Sequence, residues 1–393
     1  MNHSVREKNR IVSLDIIRGI AIFAIFFVNI PSMLGIENRY LFRAYDGIDS
    51  IVRLIYDLLI QTKFYSIFAF LFGIGFYLFM SRAEAKGKSM NALFTRRLLL
   101  LFAMGILHMI LLWNGDILAL YAVQGFWLFF FYRAKPKTVL IVSLTLLLLY
   151  IVVSYNFMQR TLSSYDTFIP SMLFNNTYTH YTADLLQRAV GLVNYEMLSW
   201  ISYTPEILGL FALGVYCAKI KLFNRTKELA TPIRIVQWTA LVLSVLCWVP
   251  IISYYMTNAA YASNKAYLYI YLGGKSLAAF YVTTIILLLN KQKLEMILRP
   301  FRYVGRMALT NYLLQTIFTV LLVPLFIPNT AALPLWSSML ICVLFFSIQV
   351  GISKWWLSRF EFGPMEWLWR IATYWEVQPI RRKQLLPEET LHL

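Results

Sequence analysis

Residues 105–125 read GILHMILLWNGDILALYAVQG. The stretch is almost wholly apolar, yet it carries His108 and, eight residues later, Asp116. On both sides of WNGD the apolar pattern runs on, from residue 93 to 113 and from 116 to 132. Such runs approach the ~20 residues that carry a helix across bilayer hydrocarbon. WNGD then reads as the tight turn between two antiparallel membrane helices. An ionisable group inside a bilayer is costly and usually faces the bundle interior, so the two groups raise a question of function as well as of fold.

Composition extends this reading to the whole chain. Of 393 residues, 59% are hydrophobic and only 14% are charged, against about 25% charged in soluble domains. The 36 basic residues exceed the 19 acidic ones, a net charge of +17. In an apolar chain this surplus belongs to cytoplasmic loops, where membrane proteins concentrate Lys and Arg, so no nucleic-acid partner is expected. Cys217, Cys247 and Cys342 all lie in apolar runs and show neither disulfide nor metal spacing, so no metal is expected. The apolar run after MNHSVREKNR is too long for a cleavable signal and reads as the first membrane helix.

Ten segments read as spans: 12–34, 64–81, 93–113, 116–132, 138–156, 200–218, 235–256, 267–289, 303–326 and 335–357. With the N-terminus inside, the loops around SRAEAKGK, RAKPK, 219–234, 291–306 and the C-terminal tail fall on one strongly basic side. The opposite loops, WNGD and IPNTAALP among them, are poor in Lys and Arg. The expected fold class is therefore all-α. One polytopic transmembrane domain over 1–393 has about ten helices and both termini cytoplasmic. Residues 41–62 read as an amphipathic interfacial piece of mixed charge, 157–199 as an extracytoplasmic connection, and 361–380 as an interfacial aromatic helix. No internal repeat is visible.

The intramembrane polar residues form two layers. Asp15 and Arg18 share a helix face at i, i+3 near the inner end of the first span, with Arg96, Arg97 and Arg306 at similar depth. Asn29, His108, Asp116, Glu206 and Lys275 lie toward the outer ends of their spans. The inner layer suits phosphate oxygens, which Arg forks match; Arg96 and Arg97 also read simply as topology determinants. In the outer layer, His108 is a candidate base that Asp116 would orient, while Asn29 is a candidate donor to a developing oxyanion. Other readings stand beside these. Asp15 and Asp116 suit helix capping, Arg18 suits snorkelling, and His108 suits a satisfied bundle histidine. Glu206 is a natural partner for Lys275. Asn311 and Gln315, one turn apart, suit either a substrate or inter-helix hydrogen bonds.

Five blocks in order carry a resemblance that spans nearly the whole chain: SLDIIRGIAIFAIFFVNI, KFYSIFAFLFGIGF, GILHMILLWNGDILALYAVQG, GRMALTNYLLQTIF and FEFGPMEWLWRIATYW. Together they resemble the YeiB-type family, bacterial integral-membrane proteins grouped as a domain of unknown function. The first block is also similar to the opening of the broader transmembrane acyltransferase superfamily. That resemblance implies a multi-pass protein of the bacterial plasma membrane that takes an acyl group from cytosolic acyl-CoA and delivers it to a hydroxyl or amine. His108, Asp116 and Asn29 are then the expected catalytic residues. Asp15, Arg18, Arg306, Asn311, Gln315, Glu206 and Lys275 are the expected substrate-binding residues. The expected partners are membrane lipid, acyl-CoA and a second copy in a homodimer. The alternatives are a small-metabolite transporter or permease, and a non-catalytic membrane partner.

Overall fold

An apolar segment in lipid satisfies its own backbone by forming a helix, because no water is available to its amides and carbonyls. The computed structural model follows this rule and describes residues 11–37, 44–168, 197–258, 261–289 and 292–382. In chain order the helices are α1 (Val12–Met33), α2 (Gly47–Leu59), α3 (Lys63–Glu84), α4 (Met90–Leu111), α5 (Leu118–Gly125) and α6 (Phe129–Tyr132). There follow α7 (Pro136–Phe168), α8 (Met197–Lys219), α9 (Ala230–Thr257), α10 (Tyr267–Leu288) and α11 (Gln292–Arg306). The last are α12 (Ala308–Ile317), α13 (Val323–Phe326), α14 (Leu335–Arg359) and α15 (Pro364–Tyr374). Extended pairing among the described residues is limited to isolated bridges, Tyr45 with Tyr261 and Phe360 with Arg381.

Eight helical runs are long and apolar enough to cross a membrane, Gly47–Glu84 being one run through α2 and α3; Leu118–Tyr132 and Pro136–Val152 are shorter apolar helices. The protein is thus an all-α polytopic membrane protein, with an apolar helix at each of the ten expected positions. Two boundaries differ from the sequence reading. The ninth segment is not continuous from 303: Met307 breaks it (φ −118°, ψ 38°), and the spanning part begins at Ala308. The preceding α11 is amphipathic and, at 15 residues, too short to span by itself. The fifth segment continues past 156, since α7 stays helical to Phe168. Of the expected 157–199 connection, residues 169–196 lie outside the described residues.

Two glycine pairs set the closest helix crossings. A Cβ on Gly19 of α1 would lie 1.9 Å from Phe301 O, and one on Gly305 of α11 would lie 1.9 Å from Asp15 O. Gly73 of α3 and Gly214 of α8 repeat the device, meeting Phe211 O at 2.0 Å and Phe70 O at 2.1 Å. Lipid offers no hydrophobic drive between helices, so backbone approach of this kind, with its dense van der Waals contact, is what holds them.

The amphipathic α2 is turned with its polar side inward. Ile48, Ile51, Ile55 and Leu59 are exposed, whereas Asp49, Arg53 and Asp57 are buried. Arg53 Nε lies 3.0 Å from Asp57 Oδ1, and Tyr261 Oη donates to Asp57 Oδ2 at 2.9 Å. Asp49 accepts from the first amides of α14, Leu335 N at 2.9 Å and Trp336 N at 3.1 Å. Asp49, Arg53 and Asp57, part of the mixed charge read in 41–62, are therefore the internal lock of this end of the bundle.

Ser89 and Asn114 are exposed at opposite ends of α4, which is about 33 Å long at 1.5 Å per residue. In a Cys217→Ala, Cys247→Ala, Cys342→Ala background, an impermeant thiol reagent should label Asn114→Cys in intact cells and reach Ser89→Cys only after permeabilisation. The reverse pattern would overturn the basic-side-inside orientation.

Candidate functional site

The WNGD turn is closed by the aspartate it contains. α4 ends at Leu111, and Asp116 Oδ2 accepts from Leu118 N at 2.7 Å and Ala119 N at 3.1 Å, satisfying the first amides of α5. That leaves Oδ1 for other partners. His108 Nδ1 lies 3.1 Å from it, and the Tyr312 hydroxyl of α12 donates to it at 3.1 Å. All three side chains are buried. The His108 and Tyr312 rings are 5.4 Å apart; neither His108 nitrogen makes a hydrogen bond in the structure, Nδ1 lying within ion-pair distance of the carboxylate and Nε2 having no such neighbour. Of the two sequence alternatives for Asp116, the capping is present, and the same carboxylate stands within ion-pair distance of His108.

Tyr312 also lines a cavity of about 240 Å³, together with Leu118 and Tyr121 of α5. The same cavity is lined by Arg18, Arg97 and Arg306, with Phe68, Phe72 and Leu101 among the apolar walls between. His108 is not on its surface; Tyr312 is the link between them. Arg18 Nη1 pairs with Asp15 Oδ1 at 3.1 Å and reaches Gly305 O at 3.5 Å. Arg306 Nη2 donates to Glu361 O at 3.3 Å. The Arg97 guanidinium stacks on the Trp369 ring at 3.6 Å, and Trp369 Nε1 donates to Arg97 O at 3.0 Å. The aromatic α15 therefore lies against the arginine end of the cavity.

The break at Met307 exposes the first amides of α12, and Glu366 of α15 takes them: Leu309 N at 2.7 Å, Thr310 N at 3.1 Å and the Thr310 hydroxyl at 2.5 Å. Burial pushes the Glu366 carboxyl above the usual carboxylate range, against the lowering effect of the Thr310 hydroxyl and these amides. Glu366 lines the cavity as well.

The remaining sequence candidates fall elsewhere. Lys275 Nζ and Glu206 Oε1 form a buried ion pair. Lys275 also donates to the Tyr65 hydroxyl at 2.7 Å and Ser66 Oγ at 2.8 Å, while Tyr65 donates to Glu206 Oε1 at 2.7 Å. This cluster joins the cavity only indirectly, through Tyr121, whose hydroxyl donates to Tyr65 O at 3.0 Å. Asn311 donates to Ser353 Oγ at 3.0 Å and Gln315 to Gln349 Oε1 at 3.0 Å, so both amides tie α12 to α14, and neither lines the cavity. Asn29 is half-buried near the end of α1 and takes no part in the described contacts of His108, Asp116 and Tyr312. Sequence reasoning passed over Tyr312, Tyr65 and Glu366 and placed Arg97 in the inner cationic layer, with a topology reading beside it. For Glu366, the Gly-Pro start of α15 two residues earlier was the available cue.

Removing one member of a buried pair leaves the other uncompensated, a loss of about 3–5 kcal/mol. Glu206→Leu should therefore lower the melting temperature sharply in detergent, and adding Lys275→Met should recover most of the loss. A double variant no more stable than Glu206→Leu alone would show that the pair is not what holds α8 to α10.

A profile described as "Protein of unknown function (DUF418)" matches residues 217–376. The chain is 32% identical to the uncharacterized protein YxaH of Bacillus subtilis strain 168, across 95% of this chain and 96% of that one. It is 29% identical to an uncharacterized 39.9 kDa protein in the amylase 3' region of Bacillus acidopullulyticus, across 95% and 97%. It is 27% identical to the uncharacterized protein YeiB of Escherichia coli strain K12, across 93% and 96%. No solved structure matches it. Full-length similarity at this level, over the helices and turns just described, makes the chain a member of the YeiB-type DUF418 family.

Proposed function

We propose that the protein is a membrane acyltransferase that draws on cytosolic acyl-CoA and acylates a hydroxyl or amine acceptor, in the plasma membrane of a bacterium. The supporting observation is the single cavity that has Arg18, Arg97 and Arg306 on its wall and also Tyr312, the hydrogen-bond partner of the carboxylate that holds His108. Arginine forks suit the donor's phosphates, and an aromatic and aliphatic passage suits the thioester arm.

In the proposed reaction, His108 Nε2 takes the proton of the acceptor O–H or N–H as the acceptor atom bonds to the thioester carbonyl carbon. The carbonyl electron pair moves to oxygen, then returns as the C–S bond breaks. The proton held on the imidazolium passes to the departing thiolate, giving the ester or amide and free CoA. Asp116 keeps the ring's Nδ1 side protonated and stabilises the imidazolium; Tyr312 positions Asp116. Because His108 stands behind Tyr312, acceptor entry requires that ring to shift.

A second reading, a carrier for a small anionic metabolite, is favoured by one feature: the helix broken at Met307, whose restart at Ala308 and Leu309 also lines the cavity.

Purified protein should gain thermal stability from CoA or acyl-CoA, by binding to the folded state alone. The gain should shrink in Arg18→Ala and Arg306→Ala. Gly75 gives a cleaner control, since it lines the same cavity and a Cβ there meets nothing within 4 Å. Gly75→Leu should fold normally, fill the passage and abolish the ligand shift. No shift at millimolar CoA and acyl-CoA in the wild type would set acyl transfer aside in favour of the carrier.

His108→Gln should melt near the wild-type temperature yet transfer acyl groups roughly 10²-fold more slowly, the usual scale of acid–base help. Tyr312→Phe, which keeps the ring and loses the bond to Asp116, should show a smaller loss. Wild-type transfer rates in His108→Gln would end its catalytic role.

A further inference from the structure

A second cavity, of about 430 Å³, opens on the other side of α3. Its walls come from α3, α7, α8, α9 and α10 and are almost entirely apolar; Ile67, Leu213, Cys217, Ile233, Ala278 and Val282 are typical. Arg18, Arg97, Arg306, His108, Asp116 and Tyr312 are all absent from its lining, and of the residues expected to bind substrate Lys275 alone reaches it.

Its depth can be read along two helices. On α10 the lining runs from Lys275 to Ile286, about 16 Å at 1.5 Å per residue. On α8 and the turn after it, the lining runs from Leu210 to Ile220, a helical length of about 15 Å. Both lengths are close to half of the ~30 Å hydrocarbon thickness, the depth of one leaflet. The deep end stops at Lys275, engaged with Glu206 and Tyr65, and at Ser66, which accepts from Lys275 and donates to Thr62 O. That polar floor blocks further entry of an apolar chain. At the edge, Val236 is 49% exposed on the lipid-facing side of α9, so the cavity is reachable from the bilayer.

The shallow end has a charged rim. Ile220, Leu222, Leu229 and Pro232 line the cavity, and Lys221, Lys227 and Arg234 beside them are exposed. Arg225 at the same rim is paired with Glu228 at 2.6 Å, and Lys219 donates to Tyr132 O at 2.6 Å. The rim therefore keeps a positive surplus at headgroup level, where each Lys or Arg is worth about 1 kcal/mol toward an anionic lipid.

We infer that this cavity holds one acyl chain of an anionic phospholipid from the leaflet on the basic side, with the lipid phosphate under Lys221, Lys227 and Arg234. A leaflet-deep apolar slot, a closed polar floor and a cationic rim match that amphiphile at both ends and in length.

The test uses the full-length protein reconstituted in nanodiscs of equal parts phosphatidylglycerol and phosphatidylcholine, then released into mild detergent for native mass spectrometry. The wild type should retain phosphatidylglycerol over phosphatidylcholine by roughly tenfold or more, given three uncompensated cations at the rim. Ala279→Phe, which projects into the slot, should lose the retained lipid. The triple variant Lys221→Gln, Lys227→Gln, Arg234→Gln, altered only at exposed positions, should still retain lipid but take both headgroups about equally. If Ala279→Phe fails to fold, Ala279→Leu and the rim variant decide. The proposal is overturned if wild type retains neither lipid or both equally, if a folded slot variant keeps wild-type retention, or if the rim variant keeps the full headgroup preference.

Discussion

The Asp116 carboxylate is the interaction on which this end of the bundle turns. A chain that reverses in or near lipid leaves the first amides of its next helix without water, and each must find an acceptor. Asp116 supplies one to Leu118 and Ala119, and its second oxygen meets His108 and Tyr312. Two other carboxylates do the same work across elements. Glu366 receives the amides of α12, and Asp49 receives those of α14. In each case a negative group sits at the positive end of a helix dipole, and the bond joins segments distant in sequence. The buried acids of this membrane protein are thus structural first. At Asp116 alone among the three, the described contacts also include an imidazole.

That shared use explains the shape of the main cavity. α12 is not a plain continuation of α11, whose backbone lies against Gly19 of α1: the helix breaks at Met307. Around that break Arg306 and Glu366 line the same cavity as Arg18 and Arg97. From that restart α12 runs to Tyr312 and Asp116. One discontinuity therefore builds the cationic end of the cavity and aims the helix that forms its opposite wall. The Tyr121–Tyr65 hydrogen bond then connects this cavity to the Lys275–Glu206 pair and to the second cavity beyond it.

Much of this was legible in the order of residues. Hydropathy is carried residue by residue, and a bilayer imposes one length on every span, so the apolar helices fall where the sequence predicts. The pairing of Asp15 with Arg18, three residues apart on one helix, needs only helical geometry. The meeting of His108 and Asp116 needs one hairpin and a turn as short as WNGD. Composition and local spacing by themselves determined an all-helical membrane protein, its basic loops and these near-neighbour contacts.

What only the tertiary structure decided depends on contacts between helices far apart in the chain. Tyr312 reaches Asp116 across 196 positions, and Lys275 reaches Tyr65 across 210. Periodicity and the polar residues of α12 mark a face toward the bundle interior but not which neighbour that face meets. Asn311 and Gln315 show the same limit: identical in type to ligand-binding amides, they are consumed by Ser353 and Gln349. The inward turn of α2 was equally hidden, because an amphipathic stripe fixes an angle between two faces but not which face finds protein. The choice lies with buried partners such as Tyr261 and the start of α14, which exist only once the bundle has closed.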